Sequence, residues 1–144
     1  MTRHDERTLI KWTVAMEAEG EPLEGKVGVA FVIINRSRLW KRSIADVCLK
    51  GYQFSCWNTE SPTRLRLDII NDKIMAEAEH AAYGAYFSGT PYSTIVDPTN
   101  GATHYLNKEE TKRLTGGRLP KWIDAMKEMA TIGNHTFYKE KPNG

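Results

Sequence analysis

Two cysteines, four histidines and a net charge of only +2 in 144 residues set aside several classes of protein before any motif is read. Cys48 and Cys56 are too few for a disulfide scaffold. They could close one small loop or be two buried thiols, and the sequence leaves both open. The histidines are scattered with no HxxxH spacing, and neither cysteine sits in a CxxC pair. The acidic cluster from Glu17 to Glu24 fails the calcium-loop pattern, because its glycine and terminal glutamate are misplaced. No metal and no cofactor is therefore expected. Lys+Arg 20 against Asp+Glu 18 gives no charge with which to hold nucleic acid, and allows only mild attraction to an anionic surface. No apolar run is long enough to span a bilayer, so membrane insertion is not expected, and Met1 to Arg7 lacks the apolar stretch of a secretory signal. Repeats, linkers and low-complexity segments are absent too. What remains, at 40% hydrophobic and 26% charged residues, reads as one soluble domain over 1–144 with its core at about 5–138, expected to be a monomer and without a separate binding domain.

The unusual stretch is Glu17-Ala18-Glu19-Gly20-Glu21-Pro22-Leu23-Glu24-Gly25-Lys26. Four carboxylates in eight residues, broken by glycine and proline, do not make an ordinary solvated helix face. Gly20 to Glu21 reads as the junction of two helices. Before it, Asp5 can act as an N-cap. Leu9, Trp12 and Met16 recur at helical spacing, with Ile10, Val14 and Glu17 as an adjoining row. Glu17 then lies at the C-terminal end of its helix, one turn beyond apolar side chains. Partial desolvation and the negative end of the helix dipole both disfavour its carboxylate, and a carboxyl group kept protonated near neutral pH is what a general acid needs. Glu19, Glu21 and Glu24 are expected where water and unpaired amides keep them ionised. The blander alternative is a surface charge at a frayed helix end.

After the junction, Pro22 suits a first helical turn, and Val27, Ala30, Phe31 and Ile34 repeat at helical spacing. The segment is β-branched enough for a buried strand to compete. The start signals and the unbroken continuation through Asn35-Arg36-Ser37-Arg38 favour a central helix, apolar on nearly all sides. Trp40 and Ile44 continue the core, with a short helix from Ile44 to Val47. Gly51 to Arg64 has no period and carries Gln53, Phe54, Trp57 and Asn58. Such a loop suits a sugar-binding groove, in which rings stack on pyranose faces and amides bond hydroxyls; the alternative is that Phe54 and Trp57 plug the core. Asp68 to Ser88 reads as helix through Ile70, Ile74, Ala78, Ala81 and Ala85, with His80 a surface residue. Asp97 to Gly101 is a turn cluster, Ala102 to Asn107 is extended, Leu119 to Trp122 opens a helix running through Ile123, Met126 and Met129, and Ile132 to Tyr138 is a turn and strand. The tail from Lys139 to Gly144 is polar.

One rival chemistry is a cysteine nucleophile. Ser55-Cys56-Trp57, with Gln53 upstream, echoes the tripeptide around papain-type nucleophiles, and His104 or His135 could serve as base. The preceding Cys-Gly of that signature is missing, however, and the chain is too short for the papain fold.

Four blocks decide between these readings: Glu17-Ala18-x-Gly20-Glu21-Pro22 with Gly25-Lys26-Val27 and Asn35-Arg36; Gln53-Phe54-Ser55-Cys56-Trp57; Asp97-Pro98-Thr99-x-Gly101-Ala102-Thr103-His104-Tyr105; and Ile132-Gly133-x-His135-x-Phe137-Tyr138. In that order they resemble the cell wall hydrolase family of the spore cortex-lytic enzymes SleB and CwlJ, from about Leu9 to Tyr138. The resemblance implies a mainly α (α+β), lysozyme-like helical domain with a small β hairpin or sheet. It also implies a lytic transglycosylase cleaving peptidoglycan glycan strands between N-acetylmuramic acid and N-acetylglucosamine. The family's catalytic glutamate matches Glu17, while Glu21, Gln53, Phe54, Trp57, His104, Tyr105, His135 and Tyr138 match as groove candidates; Asn107 joins them as an amide able to hold the strand. Glu19 departs from the pattern, since relatives often have arginine there, and its charge is expected to raise the Glu17 pKa further. The alternatives are a hydrolytic muramidase using Glu21 or Glu24 as second carboxylate, a Cys56-dependent wall peptidase or amidase, and a non-catalytic glycan-binding domain. The expected place of action is the bacterial wall, reached as a phage endolysin through a holin-type membrane lesion or as a secreted protein.

Overall fold

The computed structural model describes residues 1–50, 54, 57 and 69–142. Its helices are α1 (Arg3–Glu17), α2 (Leu23–Trp40), α3 (Ile44–Leu49), α4 (Asp72–Tyr86) and α5 (Lys108–Thr115). Its strands are β1 (His104–Leu106), β2 (Met126–Ile132) and β3 (His135–Glu140). The fold is mainly helical with one small antiparallel sheet in the order β1-β3-β2, as expected. Among the described residues no helix is long and apolar enough to cross a membrane.

The centre is α2, whose residues from Gly25 to Ile34 are all buried, so the helical reading of this β-branched run holds. It starts one residue later than proposed: Pro22 is the N-cap in extended conformation, because its fixed φ is as suitable just before the first turn as within it. On one side α1 and α4 pack against α2 and each other, with Ala78, Ala81, Ala82 and Ala85 making the close face of α4. On the other side Gly28 lets α2 approach β3; a Cβ there would lie 2.8 Å from Phe137 Cζ. Asparagine 35 ties the C-terminal half of α2 to the turn before β1 by donating to Asp97 Oδ2 and the Ala102 carbonyl, both at 2.9 Å.

Several boundaries need correction. Thr2, not Asp5, caps α1; Asp5 is the third helical residue and returns the bond, so the two form a capping box. Of the two apolar rows on α1, Ile10 and Val14 of one and Met16 of the other are buried, Leu9 and Glu17 are half-buried, and Trp12 is exposed. The next long helix begins at Asp72 behind an Asn71 cap rather than at Asp68. Trp40 is half-buried, not core.

The proposed helix from Leu119 through Met129 is a single 3-10 turn, Lys121–Ala125, followed by strand β2. A bulge between Glu128 and Ala130 shifts the strand's alternation by one. Met126 and Met129 are both half-buried three residues apart, and with Ile123 in the preceding 3-10 turn they imitate a helix. Helix α5, by contrast, went unread: Lys108 to Thr115 has no buried residue, so it carries no apolar period. Its signals are the Asn107 cap, which accepts from Glu110 N at 2.9 Å, and left-handed Gly116 at its end.

Candidate active site

The site forms where α1 stops. The Ala18 amide closes the last turn on the Val14 carbonyl at 2.8 Å, and the Glu21 amide bonds the Ala18 carbonyl at 3.0 Å as the chain turns toward α2. Lys26 lies beneath this junction, 1% exposed. Its Nζ donates to the carbonyls of Glu19 and Glu21 and sits 3.4 Å from Glu77 Oε1 on α4. A buried ammonium is tolerable only with such partners, and here they fix the backbone that carries Glu17.

Glu21 is not in water, as the sequence reading had it. It is buried, and its Oε1 and Oε2 accept from the backbone amide and side-chain amide of Asn134 at 2.8 and 2.9 Å. The bonds pin the β2–β3 turn onto the helix junction. Gly133 makes this possible: its φ is +60°, and a Cβ would lie 2.7 Å from Glu21 Oε1. From that turn β3 carries His135 and Phe137 under Tyr105, whose ring centroid is 4.7 Å from His135 and 5.7 Å from Phe137. The register pairs Tyr105 with Phe137.

So held, the Tyr105 hydroxyl donates to Glu17 Oε1 at 3.1 Å. Glu17 Oε2 has no hydrogen-bond partner among the described residues. Burial pushes the Glu17 pKa above the ordinary carboxylate value, opposed by the Tyr105 bond and by the Arg36 charge. Desolvation, not Glu19, is thus the source of the shift. Arg36 reaches the site from α2, donating through Nε to the Thr103 carbonyl at 2.6 Å and lying over the rings of Trp40 and Phe54. Burial lowers its pKa, but a guanidinium stays charged at any working pH.

The remaining expected residues separate into two groups. His104 lies between Trp40, which it meets edge-on at 6.0 Å, and Trp122, tilted against it at 5.2 Å, with its Nδ1 2.9 Å from Thr103 Oγ1; Trp122 meets Tyr138 edge-on at 5.5 Å. These rings adjoin Arg36. Burial and the Arg36 charge lower the His104 pKa, and burial lowers that of His135 against the pull of Glu21, shifts that favour the neutral imidazole in both. Asn107 borders an open cleft of about 500 Å³ together with Asn134 and Lys112, while its side-chain oxygen caps α5.

Elsewhere Phe54 is only 2% exposed behind Arg36 and plugs the core. Trp57 is half-buried, donating from Nε1 to Thr13 Oγ1 at 2.8 Å. Gln53 and Cys56 lie outside the described residues. Cys48 is buried, which pushes its thiol up to about 11, the wrong direction for a nucleophile. No cluster of metal-ligating side chains occurs among the described residues. Arg36, Trp40 and Trp122 were not named as site residues from sequence, although Arg36, two residues after the apolar run of α2, was a readable signal, since a buried charge needs a partner.

A family profile described as cell wall hydrolase matches residues 20–138. The chain belongs to the cell wall hydrolase family. The match begins three residues after Glu17. Two solved structures share the fold of this cell wall hydrolase. One is the catalytic domain of the Bacillus cereus SleB protein, with a TM-score of 0.66 and 23% identity, covering 96% of this chain and 93% of that one. The other is the catalytic domain of the germination-specific lytic transglycosylase SleB from Bacillus anthracis, with a TM-score of 0.63, 23% identity and coverage of 96% and 97%. Comparison with curated proteins gave no match. As a cell wall hydrolase the protein is a peptidoglycan-degrading enzyme.

Proposed function

We propose that this cell wall hydrolase is a lytic transglycosylase in which Glu17 serves in turn as acid and base. The reading rests on one observation: a desolvated carboxyl group at the end of α1, oriented through one oxygen by Tyr105, with the other oxygen unbonded among the described residues. Protonated, Glu17 gives its proton to the glycosidic oxygen joining N-acetylmuramic acid to N-acetylglucosamine. The C1–O bond breaks with its electron pair going to that oxygen, and an oxocarbenium-like centre develops on the muramic ring. Glu17, now a carboxylate, takes the proton of the same sugar's 6-hydroxyl as that oxygen closes on C1, which leaves a 1,6-anhydro end and restores the acid. Arg36 and the Tyr105 hydroxyl favour the carboxylate at the midpoint, offsetting part of the desolvation that raises the Glu17 pKa.

A hydrolytic muramidase needs a second carboxylate to place water or trap the sugar. Glu21, the nearest in sequence that was considered for this, has both oxygens committed to Asn134, which supports the single-carboxyl route; Glu24 is exposed on the first turn of α2. The aromatic group of Trp40, His104 and Trp122, with Asn107 beyond it, is the proposed floor for the glycan strand, and Tyr105 and His135 position the acid. Digestion of purified peptidoglycan in heavy-oxygen water tests the route. Fragment ends free of label are expected; label in each new reducing end would mean hydrolysis.

A further inference from the structure

Far from Glu17, toward the N-terminal end of α1, the surface carries a second aromatic site that the reaction does not use. Tyr83, Phe87 and Tyr92 form a rank of rings, with centroids 4.7 Å apart for the first pair and 5.7 Å for the second. Tyr83 is 40% and Tyr92 69% exposed, an arrangement the core does not require. Their placement is built. Gly84 has no side chain where Ile95 packs against α4, and the Ser93 hydroxyl donates to the Gly84 carbonyl at 2.9 Å. The loop bearing Tyr92 is thereby fixed beside the helix bearing Tyr83.

Tyr83 is the wall between two depressions. One, about 290 Å³, is lined by His80, Tyr92, Ser93 and Thr94 among others. The other is bounded by His4, Arg7, Thr8 and Lys11 from α1 with Glu79 from α4. The Arg7 guanidinium lies 5.6 Å from the Tyr83 ring centre and 5.4 Å from that of Phe87, and its Nε is buried with no hydrogen-bond partner among the described residues. Arg7 and Glu17 are ten residues apart on one helix, about 15 Å along its axis.

We propose that these paired depressions are a second, non-catalytic binding site for a glycan strand carrying carboxylates. Exposed tyrosine faces stack on the C–H surfaces of pyranose rings, the volume beside Tyr92 suits one or two sugars, and hydroxyl and imidazole groups rim it. Arg7, Lys11 and His4, across Tyr83, meet the carboxylates of the sugar substituents or stem peptides. The exposed side chains lining the depression are tyrosines, a threonine and a histidine, and its one branched aliphatic, Ile95, is half-buried against Gly84, a lining better matched to a sugar than to an apolar protein anchor. The site holds the enzyme on insoluble wall while the groove at Glu17 works. This inference rests on the peptidoglycan reading of the active site.

The test is co-sedimentation of the full chain with insoluble purified peptidoglycan, in a Glu17→Gln background so that the polymer stays intact. Adding Tyr83→Ala with Tyr92→Ala should weaken binding about tenfold, equivalent to ~1.4 kcal/mol, while Tyr83→Phe with Tyr92→Phe retains it through the rings. Without the Glu17 change, the double alanine variant should release product from short soluble glycan fragments at the unaltered rate. Binding that is indifferent to the two tyrosines, or equal loss on insoluble and short substrates, would overturn the second site alone. A wild-type chain that neither binds peptidoglycan nor releases fragments from it would overturn the active-site reading and this one with it.

Discussion

Glu17 is a group whose function and instability have one cause. Its pKa is raised by burial, so the folded state holds the proton more tightly than the unfolded chain does. The associated stability is present below the unfolded value, near 4.5, and is lost as pH rises through the folded one. Replacing Glu17 by glutamine should therefore leave Tm nearly unchanged at pH 4 and raise it relative to wild type at pH 8, a difference that thermal melts across pH will read. The same substitution should lower the rate by about 10²–10⁴-fold. Tyr105 acts in the opposite direction, since its bond lowers the Glu17 pKa. Tyr105→Phe is expected to slow the reaction and to move the alkaline limb of the pH–rate profile upward, because the acid form then persists to higher pH; a limb that stays put or moves down would separate Tyr105 from Glu17. The place of Glu17 at the end of α1 was legible from the sequence because helical spacing and a helix end are local facts. The bond to Tyr105 was not, since it joins residues 88 apart and depends on strand register.

The helix junction and the β2–β3 turn behave as one clamp, made by Glu21 from one side and Lys26 from the other. Glu21→Gln replaces an acceptor by a donor facing Asn134, and should cost about 1–3 kcal/mol and slow the enzyme by loosening His135 and Tyr105, with the chemistry of the fragment ends unaltered. A change in end type would instead make Glu21 a reacting group. Lys26→Met removes the donor beneath two carbonyls and the partner of Glu77; about 2 kcal/mol, or a Tm fall of about 7 °C, is expected in calorimetry. Neither role was visible in the sequence, where Glu21 reads as a solvated helix-start charge and Lys26 as one more basic residue. Local rules describe what a residue does for its own helix, and both of these serve an element far along the chain. The same limit explains α5 and β2. The first has no apolar face to announce it, and in the second a bulge gave a strand the spacing of a helix.

For the molecule as a whole, the order of four sequence blocks carried more than any one of them, because the first, third and fourth occupy different elements around the same point. The first ends α1 and begins α2, the third supplies Asp97, Thr103 and Tyr105, and the fourth supplies the turn and His135. The central helix was legible from its apolar run, while the fold class came from the resemblance that the blocks carry. The cysteine alternative has its own check: Cys56→Ala should leave the clearing of peptidoglycan suspensions intact, whereas loss of clearing would return a thiol to the mechanism. The account depends most on what Glu17 does to the glycan strand. Mass spectrometry of soluble fragments from purified peptidoglycan, for wild type and Glu17→Gln in parallel, measures this directly. Anhydro-muramic ends that vanish in the variant are the predicted result; reducing muramic ends, or cleaved stem peptides on intact glycan, would contradict it.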